Sequence, residues 1–156
     1  MAYNTGGGAS VNAAGFAAYS SGNLSNVTGD GTSYTIPFNT TTLDTASAFN
    51  TSTGVYTFPY SGLWLLTGTY SIFNLGAAHT LGLIQVVATG GTSTVIYSNP
   101  FVVSNGATVY QSFSTMIKVT AADTVSLNFQ VVGGTKTVGV VGTLNGFTFS
   151  GALINT

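Results

Sequence analysis

The sequence predicts an all-β domain made of two packed antiparallel sheets of short strands, and three observations carry that expectation. Thr, Val, Tyr, Phe and Ile dominate, while Glu and Arg are absent and Lys and Gln are scarce, a composition that starves helices and suits strands. Short alternating or apolar runs are punctuated by Gly, Asn, Asp and Pro, as in strands joined by turns. At 156 residues the chain has the size of one ordinary domain with a real core.

Residues 1–13 are small, polar and Gly-rich, with Gly6-Gly7-Gly8 at their centre, and read as a flexible arm ahead of a domain over 14–156. Strands are expected near 14–20, 34–38, 54–58, 62–73, 80–88, 93–97, 107–119, 124–132 and 146–154. Over 124–132, Val125, Leu127, Phe129 and Val131 share one face, and Ser126, Asn128 and Gln130 share the other. In the last strand Phe147, Phe149, Gly151 and Leu153 share a face. Such alternation suits strands with one side on a core. The segment 62–73 differs: Trp64, Leu66, Tyr70 and Ile72 load one face, yet Leu63 and Leu65 load the other. A strand apolar on both faces is covered on both, and in a small sandwich the second cover comes from another subunit.

The charge content excludes several functions. Asp30, Asp44, Asp123, Lys118 and Lys136 are the only fully charged side chains, 3% of the chain, against roughly 25% in an average soluble domain. In their place stand 26 Thr, 16 Ser and 12 Asn, with 21 Gly. Two lysines are too few to neutralise the phosphates of a nucleic acid or to dock the chain on an anionic membrane. With no Cys there is no disulfide scaffold and no thiolate metal site. The mean hydropathy of +0.42 reflects the missing charges. The longest apolar run, Leu81 to Ala88, contains Gln85 and falls well short of the roughly 20 residues of a spanning helix. The opening Met-Ala-Tyr-Asn-Thr-Gly-Gly-Gly lacks the basic and apolar parts of a secretory signal, so synthesis in the cytoplasm is expected.

Catalytic and ligand motifs are weak. His79 lies in the turn Gly76-Ala77-Ala78-His79-Thr80 without a nucleophile-elbow sequence nearby, so an exposed or capping role is expected rather than a Ser-His-Asp triad. Asp30, Asp44 and Asp123 each sit in a turn or polar loop, where Asp bonds its own backbone. Glycosidase chemistry would need two of them to meet. Calcium held by one of them and backbone carbonyls, with copies brought together by assembly, remains a further option. Gly133-Gly134-Thr135-Lys136-Thr137 fails as a phosphate loop because Thr135 replaces the Gly before the Lys and no helix follows. The Asn-x-Ser/Thr sequons at Asn23, Asn26, Asn39 and Asn50 are no more than chance supplies in so hydroxyl-rich a chain. Most aromatics belong to the core, while Tyr3, Tyr34, Tyr60, Tyr97 and Tyr110 are candidates for stacking on sugars.

One stretch, Ala48-Phe49-Asn50-Thr51-Ser52-Thr53-Gly54-Val55-Tyr56-Thr57-Phe58-Pro59-Tyr60-Ser61-Gly62-Leu63-Trp64, resembles the central signature of C1q-like domains. Gly15-Phe16-Ala17-Ala18-Tyr19 is similar to that family's first strand, Ala122-Asp123-Thr124-Val125-Ser126-Leu127 to the turn and strand before its end, and Phe147 to Ile154 to its last strand. Phe58 stands where the family often has Cys, and no Gly-X-Y collagen stalk precedes the match. The resemblance implies a jelly roll of the C1q and tumour-necrosis-factor type with about ten strands, assembled as a homotrimer. Its first and last strands would lie nearest the threefold axis, which assigns Phe16, Tyr19, Phe147 and Phe149, with Leu63 and Leu65, to the contact between copies.

A surface of hydroxyls and amides depends little on pH or salt, and two lysines leave trypsin few cleavage points. The sequence therefore reads as a non-enzymatic trimeric structural protein of a virion surface, a capsid-decoration or fibre-head module. Tyr3, Asn4 and Val11 of the arm would hold it to a capsid or fibre protein. The alternative is a lectin-like adhesin on a virus, spore or bacterium, binding glycans or a host receptor through loops at one end, with avidity from three sites.

Overall fold

The computed structural model describes residues 13–89, 97–101 and 108–156, and of Thr89 and 97–101 the backbone alone. The described residues form β1 (Gly15–Tyr19), β2 (Leu24–Thr28), β3 (Ser33–Thr35), β4 (Thr40–Asp44), β5 (Phe49–Asn50), β6 (Val55–Thr57), β7 (Gly62–Phe73), β8 (Leu81–Thr89), β9 (Tyr97–Phe101), β10 (Val109–Val119), β11 (Thr124–Val132), β12 (Val138–Val140) and β13 (Thr148–Asn155). The larger sheet runs β2-β12-β7-β13-β1-β4, with β10 on the other edge of β7. The smaller sheet runs β5-β6-β11-β8-β9, with β3 also on β11. Every pairing is antiparallel. The described residues contain no helix long and apolar enough to cross a membrane.

The long strands fall where alternation placed them, and the additions are short. β2, β4, β5 and β12 were not expected. β4 is Thr-rich with mostly exposed side chains, so it shows no apolar period, and pairing with β1 defines it. β2 contains Asn26 at φ 58°, a break in its extended course, and β12 is three residues long. β13 starts at Thr148, which leaves Phe147 in the preceding turn. The strand expected at 93–97 lies outside the described residues except for Tyr97, where β9 begins, and the whole of 1–12, with Tyr3, Asn4 and Val11, lies outside them too.

Aromatic rings join the two sheets. Phe16 of β1 stacks on Tyr56 of β6 with centroids 4.1 Å apart and meets Phe149 of β13 edge-on at 5.0 Å. Trp64 packs against Phe58 at 4.9 Å and Tyr56 at 5.7 Å, and Phe38 lies within 5.8 Å of Phe147. Two glycines make room for this. Gly151 pairs with both Phe16 and Leu66, and a Cβ there would run into the Phe16 ring. Gly68 sits between Phe113 and Phe149 in the ladder, and a Cβ there would strike Phe113. The hydroxyls of Tyr56 and Ser71 are buried without a hydrogen-bond partner among the described residues. Burial, with the Asp44 carboxylate adding to it, pushes the Tyr56 phenol far above its ordinary range.

This core corrects part of the expected subunit contact. Phe16, Phe147 and Phe149 are at most 1% exposed within the single chain, so their rings have no surface to offer a second copy. The resemblance places the first and last strands nearest an axis, but their large aromatics turn inward onto the chain's own core.

Candidate functional site

The outward face of the larger sheet is the surface those strands leave open. Along β7, Leu63, Leu65, Thr67 and Thr69 alternate with the buried Trp64, Leu66 and Gly68. Register then fixes their neighbours. Met116, Leu65, Ala152 and Gly15 lie in one row across β10, β7, β13 and β1. Ser114, Thr67, Ser150, Ala17 and Leu43 form the next, ending on β4. Ser112, Thr69, Thr148, Tyr19 and Thr40 form a third.

The face thus has two halves. From the Gly62 end of β7 across to Leu43 on the β4 edge it is mainly apolar, with Lys118 and Asn155 flanking Leu63 at its rim: Met116 is 65% exposed, Ile154 52% and Leu43 49%, beside half-buried Leu63 and Leu65. Small residues between Leu43 and Leu65 leave a depression of about 250 Å³ over Ala17 and Ala152, and a second of about 290 Å³ adjoins it at Ala13, Gly15 and Thr45. At the other end hydroxyls replace the apolar groups. Thr67 Oγ1 lies 2.8 Å from Ser150 Oγ, and Thr69 Oγ1 lies 2.8 Å from Thr148 Oγ1. Of the predicted contact residues, Tyr19, Leu63 and Leu65 stand on this face. Leu43 and Met116 escaped the sequence reading, and Ile154 was not among the predicted contact residues. Met116 and Ser114 recur at period 2 with Tyr110 and Ser112, a pattern that could have marked the face.

His79 and the three aspartates are held by neighbouring backbone groups. The His79 side chain is buried, accepts the Gly76 N–H at Nδ1 over 2.8 Å, and lies 3.1 Å from the Thr135 carbonyl through Nε2. With Nδ1 taken up as acceptor, Nε2–H faces the Thr135 carbonyl, and the ring ties the 74–80 and 133–137 loops together as a cap. Asp30 accepts the Thr32 N–H at 3.0 Å, and bonds with Thr32 hold its carboxyl below the usual carboxylate value. Asp44 accepts from Ala48 and Phe49, and Asp123 from Thr120. No group of three or more His, Cys, Asp or Glu side chains gathers among the described residues.

A two-sheet sandwich of this topology has counterparts among solved structures. The globular domain of zebrafish complement 1qA protein matches at 15% identity over 90% of this chain and 97% of its own, with a TM-score of 0.66. Eiger TNF from S. frugiperda matches at 12% identity over 91% of each chain, TM-score 0.67. Murine APRIL matches at 8% identity over 91% of this chain and 99% of its own, TM-score 0.66. No protein-family model and no curated protein matches the sequence. The chain has the C1q/tumour-necrosis-factor jelly-roll fold. At these identities the likeness speaks for the fold alone.

Proposed function

We propose that the protein is a non-enzymatic homotrimeric component of a virion surface, a capsid-decoration or fibre-head module anchored by residues 1–13. The observation that carries self-association is the apolar half of the outward face, where Leu43, Met116 and Ile154 are about half or more exposed. An apolar patch of this kind on a rigid sheet is stabilised by a partner surface. Neighbours of the same fold support a second copy of the chain as that partner. The surface role rests on composition: a particle coated with hydroxyls and amides, with 3% charged residues, keeps its surface chemistry as pH and salt change.

Light scattering after size exclusion tests the assembly. Three copies of 15.8 kDa give 47.4 kDa, and a trimer that persists in EDTA is expected. A monomer overturns the reading, and a trimer that dissociates in EDTA moves calcium to its centre. Co-sedimentation with capsids that lack the protein tests the anchor. The full chain should bind and a chain without residues 1–13 should not. Equal failure of both ends the anchoring idea.

A further inference from the structure

At the hydroxyl end of the outward face a cleft of about 300 Å³ opens between the edge strand β10 and the turn that leads into β13. Tyr110, Gln111, Ser112, Thr69 and Asn145 line it. Tyr110 is 70% exposed, the most open large apolar side chain among the described residues. Its backbone is fixed opposite Ser71 in the β7–β10 ladder, so the ring is presented from a rigid strand. The Tyr70 hydroxyl donates to Gln111 Oε1 at 2.9 Å and holds that side chain in the wall. Asn145 is exposed in a turn closed by the Gly146 N–H on the Thr143 carbonyl at 3.0 Å. Leu144, 56% exposed, stands beside it.

Among the described residues no charged side chain lines the cleft. A ligand recognised here is therefore neutral, has one flat apolar face for the ring, and carries several hydroxyls for an amide and a hydroxyl to meet. A pyranose has that chemistry: its axial C–H bonds form an apolar face and its hydroxyls fan out at the edge. The cleft volume is at the small end for ligand sites and suits a terminal sugar or a disaccharide. We propose that the cleft binds a neutral saccharide, with Tyr110 stacking on the ring face and Asn145 and Ser112 bonding its hydroxyls. This rests on neither the particle role nor the arm.

Saturation-transfer NMR on the full chain tests it, with glucose, galactose, mannose, N-acetylglucosamine and lactose as neutral probes and sialic and glucuronic acids as charged ones. Transfer to at least one neutral sugar is expected, and none to the acids. Tyr110→Phe should keep the signal because the ring remains, whereas Tyr110→Ala should weaken binding by about tenfold. Asn145→Ala should weaken it by a smaller factor. Silence from every neutral probe overturns the proposal, as does binding that survives Tyr110→Ala. A lowered solution mass for Tyr110→Ala also overturns it, since the ring would then belong to the contact between copies.

Discussion

The two faces of β7 and β13 are made by the same backbone and obey opposite rules. Inward, Trp64, Leu66 and Phe149 are fully buried among rings, and Gly68 and Gly151 exist to admit those rings. Outward, Thr67 and Ser150 bond across the strands, and Met116 on the neighbouring β10 stands largely in solvent. Close packing makes the inward face sensitive to single atoms. The outward face is loosely determined within one chain, and its side chains are free to answer to a partner.

Substitutions sharpen that contrast. Phe149→Ala should have the largest effect, lowering unfolding free energy in a urea titration by about 3–5 kcal/mol through the cavity it leaves. Gly151→Ala adds only a methyl, yet overpacking against Phe16 should cost about 1–3 kcal/mol in the same titration. A loss below half of that would mean that the Phe16 ring yields easily. Tyr56→Phe removes a buried hydroxyl with no partner among the described residues while keeping the ring, so it should stabilise the fold by about 1 kcal/mol. Met116→Asp should move stability least, within about 0.5 kcal/mol. It should nonetheless drop the solution mass from 47.4 kDa, three times the chain mass, to 15.8 kDa. If it lowers stability as Gly151→Ala does, the two faces are not independent.

The sequence revealed periodicity well and orientation poorly. Val125, Leu127, Phe129 and Val131 share a face on paper and are all buried in the fold. The two-sided loading of 62–73 likewise became the alternation of β7. Phe16, Phe147 and Phe149 entered the expected contact through the family resemblance, which names the strands near an axis, whereas the fold turns those three rings into the chain's own core. β4 stayed hidden because pairing with β1, not an apolar pattern, makes it a strand. The cleft was half legible. Tyr110 stood out as a possible platform, but only the folding of the 143–147 turn against β10 brings Asn145 beside it.

Trp64 supplies an optical consequence. It is the single tryptophan, sealed at 0% exposure with Nε1–H donating to the Tyr60 carbonyl at 3.3 Å. Its emission should be blue-shifted and shielded from aqueous quenchers while the sandwich is intact, and should redden only as the rings around it separate. Dissociation of copies or capture of a sugar, both on the opposite face of the sheet, should leave the spectrum still. Fluorescence and scattering therefore read different events on one sample, and a midpoint that appears in one and not the other identifies which face has let go.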